Sequence, residues 1–154
     1  MTGKAGLKAG LIGVAIMLMH TGLSRLLPSY GSLVWVSAGV SLLVYAGIGV
    51  LAGLLLTPPR TPGKGAGAGA IASLMSGLVA GAVGTAIMVI QMASGEAISG
   101  LSPEQMQQIQ QLTESGMDPA TFALLAIPGL ACVVAIGTGL SAASGAIVAA
   151  VKPD

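Results

Sequence analysis

The chain has 154 residues, 54% of them hydrophobic and only 7% charged, with a net charge of +1 and a mean hydropathy of +0.92. A soluble domain carries roughly 25% charged residues to cover its surface, so this composition excludes an ordinary water-soluble globule. The near-neutral charge, with no basic cluster of the kind that tracks phosphates, gives no reason to expect nucleic acid as a partner.

The residues that would fill the interior are small. Glycine accounts for 24 positions while aromatics make up 3%. Cores that form in water gain stability by burying bulky side chains. Helices in lipid associate by close backbone approach, which favours Gly, Ala, Ser and Thr. An all-α membrane protein follows, with the lipid bilayer as its first partner.

Charged residues and Pro/Gly clusters divide the sequence into four apolar stretches, at about 7–27, 33–56, 67–92 and 122–151. About 20 helical residues cross the hydrocarbon, so each stretch is long enough, and a single four-helix transmembrane bundle is expected. Lys4 and Lys8 ahead of the first stretch also fit a signal peptide. The residues from His20 to Arg25 offer no small-x-small cleavage site, so a retained helix is the expectation.

The connections differ in chemistry. Pro28 to Ser32 makes a short turn, and Thr57 to Lys64 is a basic, proline-rich break that cannot continue a helix. The segment 93–121 holds Glu96, Glu104, Glu114 and Asp118 and no Lys or Arg. Lys and Arg near helix ends stay on the cytoplasmic side. With both termini inside, Lys4, Lys8, Arg60, Lys64 and Lys152 are cytoplasmic and only Arg25 is outside. This places the chain in the cell membrane with 93–121 as an outer loop.

Within that loop, Ser102-Pro103-Glu104-Gln105 reads as an N-cap, a proline at the first helical position and a capping-box glutamine. Leu101 and Met106 are placed for a hydrophobic staple, Met106, Ile109 and Leu112 or Thr113 recur at helical spacing, and Gly116 is a stop. A short amphipathic helix at the outer mouth of the bundle is predicted. Asp118-Pro119 caps the fourth span in the same manner.

Every fourth residue of the third stretch is small: Gly65, Gly69, Ser73, Gly77, Gly81 and Thr85. The fourth carries Gly137, Ser141, Gly145 and Ala149 at the same spacing, and the second has Gly49 and Gly53. Such ladders mark tight helix packing. The spacing leaves open whether each partner helix lies in this chain or in a second subunit, with the third-span ladder as the candidate for the latter.

The polar candidates are few. His20 and Arg25 are the strongly polar groups within the first stretch; His20 lies near the membrane midplane, where a polar group is costly, and Arg25 can snorkel to headgroups. Tyr45 needs a partner for its hydroxyl, and His20 is one possibility. Tyr30 and Trp35 suit an interfacial aromatic belt. Pro128-Gly129 predicts a kink or local opening of the fourth helix. The single Cys132 sits in an apolar run and can form neither an intrachain disulfide nor a thiolate metal site. The first span lacks the carboxylate of small multidrug exporters, no span holds that of ATP synthase rings, and the paired cysteines of disulfide-generating quinone enzymes are missing. No catalytic residues, metal site or cofactor are expected. The leading expectation is a non-enzymatic scaffold or accessory subunit acting through association with other membrane helices or like subunits. The alternatives are a transporter or channel for a small solute lined by His20, Tyr45 and the Pro128 kink, and a redox subunit holding haem or quinone.

Overall fold

A computed structural model describes residues 2–26, 31–94, 103–116 and 119–154. They form five helices: α1 (Thr2–Leu26), α2 (Gly31–Leu54), α3 (Pro62–Ser94), α4 (Pro103–Glu114) and α5 (Pro119–Val151). No strand occurs among the described residues. Segments Thr2–Leu23, Val36–Leu54, Pro62–Gln91 and Ile127–Val151 are long and apolar enough to cross a membrane.

The spanning helices start earlier than the hydropathy pattern indicates. α3 takes in Pro62 to Lys64, which the sequence reading assigns to the break before the third span. The cause is local capping: the Thr61 hydroxyl accepts from Lys64 N at 3.4 Å and the Thr61 carbonyl from Gly65 N at 2.9 Å. Proline is favoured at the first helical position because its missing N–H would have no intrahelical partner there. α1 likewise begins at Thr2 rather than near Leu7. α5 runs as one continuous helix with Pro128 inside it.

α4 starts at Pro103, as the capping signature requires, and Gly116 ends that segment with φ +91°, the left-handed conformation that closes helices and favours glycine. Its proposed N-cap Ser102 and staple residue Leu101 lie outside the described residues, as does Asp118. Among the described residues, helix–helix contacts join α1, α2, α3 and α5, and α4 takes no substantial part in them.

α3 is the hub. It packs most extensively on α5, then on α1, and also touches α2, while α2 reaches both α1 and α5. The contacts fix the directions. Gly6, Gly10 and Gly13 meet Ala68, Ala72 and Ser76 in rising order, so α1 and α3 run parallel. Gly49 and Gly53 meet Ser141 and Gly145, so α2 and α5 are parallel too. Gly65, Gly69, Gly77 and Gly81 meet Gly145, Ser141, Val134 and Leu130 in falling order, so α3 and α5 are antiparallel.

The distribution of side chains is inverted relative to a water-soluble bundle. The largest fully buried side chains are Ser73, Ser76 and Ser141. Around them lie Ala5, Ala9, Ala52, Ala68, Ala72 and Ala149, joined by Ile48 and Leu56. The large aliphatic residues point outward instead, among them Leu43 (73% exposed), Ile90 (64%), Leu124 (64%) and Ile136 (63%). A soluble monomer rarely exposes contiguous apolar surface on this scale. In lipid that surface is solvated, and small residues inside let the backbones approach. Four spanning-length helices with this inversion suggest a multi-pass membrane protein.

Candidate functional site

The most specific geometry lies where α2, α3 and α5 meet. A Cβ at Gly65 would fall against the Gly145 carbonyl and Ala149, and one at Gly69 against the Ser141 carbonyl. At Gly81 it would overlap the Leu130 side chain. Gly145 in turn faces the carbonyls of Gly65 and Gly49. The backbones therefore approach at a spacing that any side chain would push apart.

Tyr45 inserts into this seam. The residue is 3% exposed, and its ring carbons stand 2.7 Å from where a Gly137 Cβ would lie. Its hydroxyl stands 2.8 Å from the corresponding point at Gly77. One aromatic residue of α2 thus wedges between glycines of two other helices.

Hydroxyls tie the same region together. Ser141 Oγ donates to the Gly69 carbonyl at 3.0 Å, linking α5 to α3, and Ser144 Oγ donates to the Ala46 carbonyl at 3.0 Å, linking α5 to α2. Ser73 and Ser76 donate within their own helix, to Ala70 at 3.1 Å and Ala72 at 2.9 Å. Thr138 Oγ1 is buried with no hydrogen-bond partner among the described residues. Thr85, the last rung of the α3 ladder, is half-buried.

His20 lies elsewhere, between α1 and α2. Its Nε2 is 3.1 Å from Ser41 Oγ, and that hydroxyl donates to the Ser37 carbonyl at 2.9 Å. The donor and acceptor roles in the His20–Ser41 pair follow the imidazole tautomer. The pairing of His20 with Tyr45 is therefore replaced: Ser41, one turn earlier on α2, faces α1 while Tyr45 turns towards α3 and α5. Arg25 belongs to the last turn of α1; its side chain lies outside the described residues, as do Tyr30 and the side chain of Trp35. Cys132 is exposed on α5.

Two features escaped the sequence reading. Gly6, Gly10 and Gly13 make a small-residue face on α1 against α3, and their spacing was visible in the sequence. Arg60 is the second. Its guanidinium donates to the carbonyls of Leu56 (2.9 Å), Asp154 (2.8 Å), Lys152 (3.2 Å) and Leu54 (3.4 Å), and its amide donates to Pro153 O at 2.9 Å. One side chain therefore caps the C-terminal ends of α2 and α5 together, satisfying carbonyls that a helix end leaves without partners. A 92-residue separation hides this relationship from local patterning.

Chemically, the arrangement holds helices together. Among the described residues, no three of His, Cys, Asp and Glu gather as a metal site. No protein-family model, curated protein or solved structure matches the chain.

Proposed function

We propose that the protein is a non-enzymatic, multi-pass membrane protein that serves as a small scaffold or accessory subunit through helix–helix association in the bilayer. The observation that carries this reading is the inversion of the packing, with serines as the largest fully buried side chains and Leu, Ile and Val on the outside. A body built this way presents apolar helix faces to lipid, and in the membrane plane another helix docks where small residues let the backbones approach.

The α3 ladder is covered by α5 within the chain, so a second subunit would use an outward face. The outer stripe of α2 has the required relief. Gly39 and Gly47 have nothing within 4 Å among the described residues, and Leu43 between them is 73% exposed. A knob flanked by two glycine hollows is a shape another helix can match, whether from a like subunit or from a different protein.

We place both termini on the cytoplasmic side of the cell membrane. The support is the grouping of Lys4, Lys8, Arg60, Lys64 and Lys152 at one end, which the parallel α1–α3 and antiparallel α3–α5 packing brings together. The test of function is purification in mild detergent with mass determination of whatever accompanies the chain. A stoichiometric assembly that Gly47→Leu dissolves while Gly84→Ala, on α3 with nothing within 4 Å among the described residues, leaves intact supports the reading. A monomer that copurifies with no other chain, in detergent and in nanodiscs alike, contradicts it.

A further inference from the structure

The cations at the basic end are not equivalent. The Arg60 guanidinium is occupied by four carbonyls, and Lys64 Nζ donates to Pro59 O at 3.2 Å. Lys4 and Lys8 have no ion-pair or hydrogen-bond partner for their ammonium groups among the described residues, and both are exposed. They stand one helical turn apart on α1, on the face opposite Ala5, Gly6, Ala9 and Gly10, which pack inward. In the sequence four of the five acidic residues fall in the segment 93–121, far from both lysines, and Asp154 O accepts from Arg60.

Below the two lysines the same face turns apolar, with Leu7 (52% exposed), Leu11 (58%) and Ile12 (45%) open to the surroundings. Lys8 lies about 9 Å along the helix from Thr2, at 1.5 Å per residue. In a bilayer its stem must run up the helix to bring the ammonium to headgroup level. Two uncompensated cations at phosphate depth above an aliphatic stripe match one amphiphile: an anionic head joined to acyl chains.

We infer that Lys4 and Lys8 of α1 form a seat for the phosphate of an anionic glycerophospholipid, whose acyl chain lies along Leu7, Leu11 and Ile12. The seat rests on the membrane reading above and goes beyond it, since a scaffold needs no lipid preference. Each lysine at such a surface is worth roughly a fivefold gain in affinity for an anionic lipid.

The test is native mass spectrometry of the detergent-purified chain, offered equal amounts of phosphatidylglycerol and phosphatidylcholine. The wild type should retain phosphatidylglycerol. Lys4→Gln/Lys8→Gln should lose that preference by on the order of 25-fold, with unchanged helical circular dichroism, while Lys64→Gln keeps it. Equal retention of the two lipids, or a preference surviving in the double variant, overturns the seat. So does displacement of phosphatidylglycerol by millimolar inorganic phosphate, which would assign a free-anion site. Washing membranes at alkaline pH separates the two failures. A chain that stays embedded yet shows no lipid preference removes only the seat, and a chain that washes off removes the membrane reading with it.

Discussion

The ring of Tyr45 on α2 stands 2.7 Å from the point where a Cβ would project from Gly137 on α5. No side chain fits there without moving the ring, and the ring is held on its other side by α3 at Gly77. The aromatic residue and the glycine are therefore one packing unit drawn from different helices. Gly137→Ala should destabilise the fold by about 1–3 kcal/mol through overpacking. The penalty should largely vanish in a Tyr45→Ala background, a coupling that a double-mutant cycle on thermal unfolding in detergent reads directly.

Glycines in the seam and glycines on the outside should respond oppositely. Gly69→Leu drives a side chain into the Ser141 carbonyl and should cost about 3 kcal/mol or more. Gly84 has no neighbour within 4 Å among the described residues. Gly84→Ala should be neutral or stabilising, by up to about 1 kcal/mol from helix propensity. Unfolding midpoints of the two variants in one detergent decide the matter.

The serine links should each contribute modestly. Ser141→Ala and Ser144→Ala remove the bonds to Gly69 and Ala46, and interhelical hydrogen bonds in membranes average about 0.6 kcal/mol. Thr138→Val should behave differently, because Thr138 Oγ1 is buried without a partner among the described residues. An isosteric apolar replacement at such an atom is expected to be neutral or stabilising. A Thr138→Val protein markedly less stable than Ser141→Ala would contradict this packing.

Arg60 should control the C-terminal end of α5. Arg60→Lys keeps the charge but cannot reach four carbonyls with one planar fork. Hydrogen exchange at the Lys152 amide, which donates to Val148 O at 3.0 Å, should quicken roughly fivefold. That corresponds to about 1 kcal/mol once solvent exposure is allowed for. Unchanged exchange would mean that the latch holds nothing.

The helices were largely legible in the sequence because their signal is one-dimensional. Apolar run length, the proline-rich break at 57–64 and the Pro103 and Gly116 markers each act within a few residues. Helix starts were less so, since Thr61 capping extends α3 through Pro62, Gly63 and Lys64, which read as a break. The ladder residues were visible by spacing, but their partners were not. Whether Gly69 faces Ser141 of the same chain or a second copy depends on which faces α3 turns to its neighbours, and a four-residue repeat carries no record of that. His20 shows the same limit: equal depth allowed Tyr45 as its partner, and side-chain direction selected Ser41.

The account stands on α3 and α5 closing their small-residue faces on each other inside one chain. Gly81→Cys with Leu130→Cys, in a Cys132→Ala background, tests this most directly, because Leu130 Cγ lies 3.2 Å from the Gly81 Cβ position and a cysteine sulfur would take its place. Oxidised in membranes and run without reductant, the protein should form an intrachain disulfide and migrate as a monomer. Dimers cross-linked between the α3 thiol of one copy and the α5 thiol of another, with no intrachain product, would show that the ladder belongs to a second subunit.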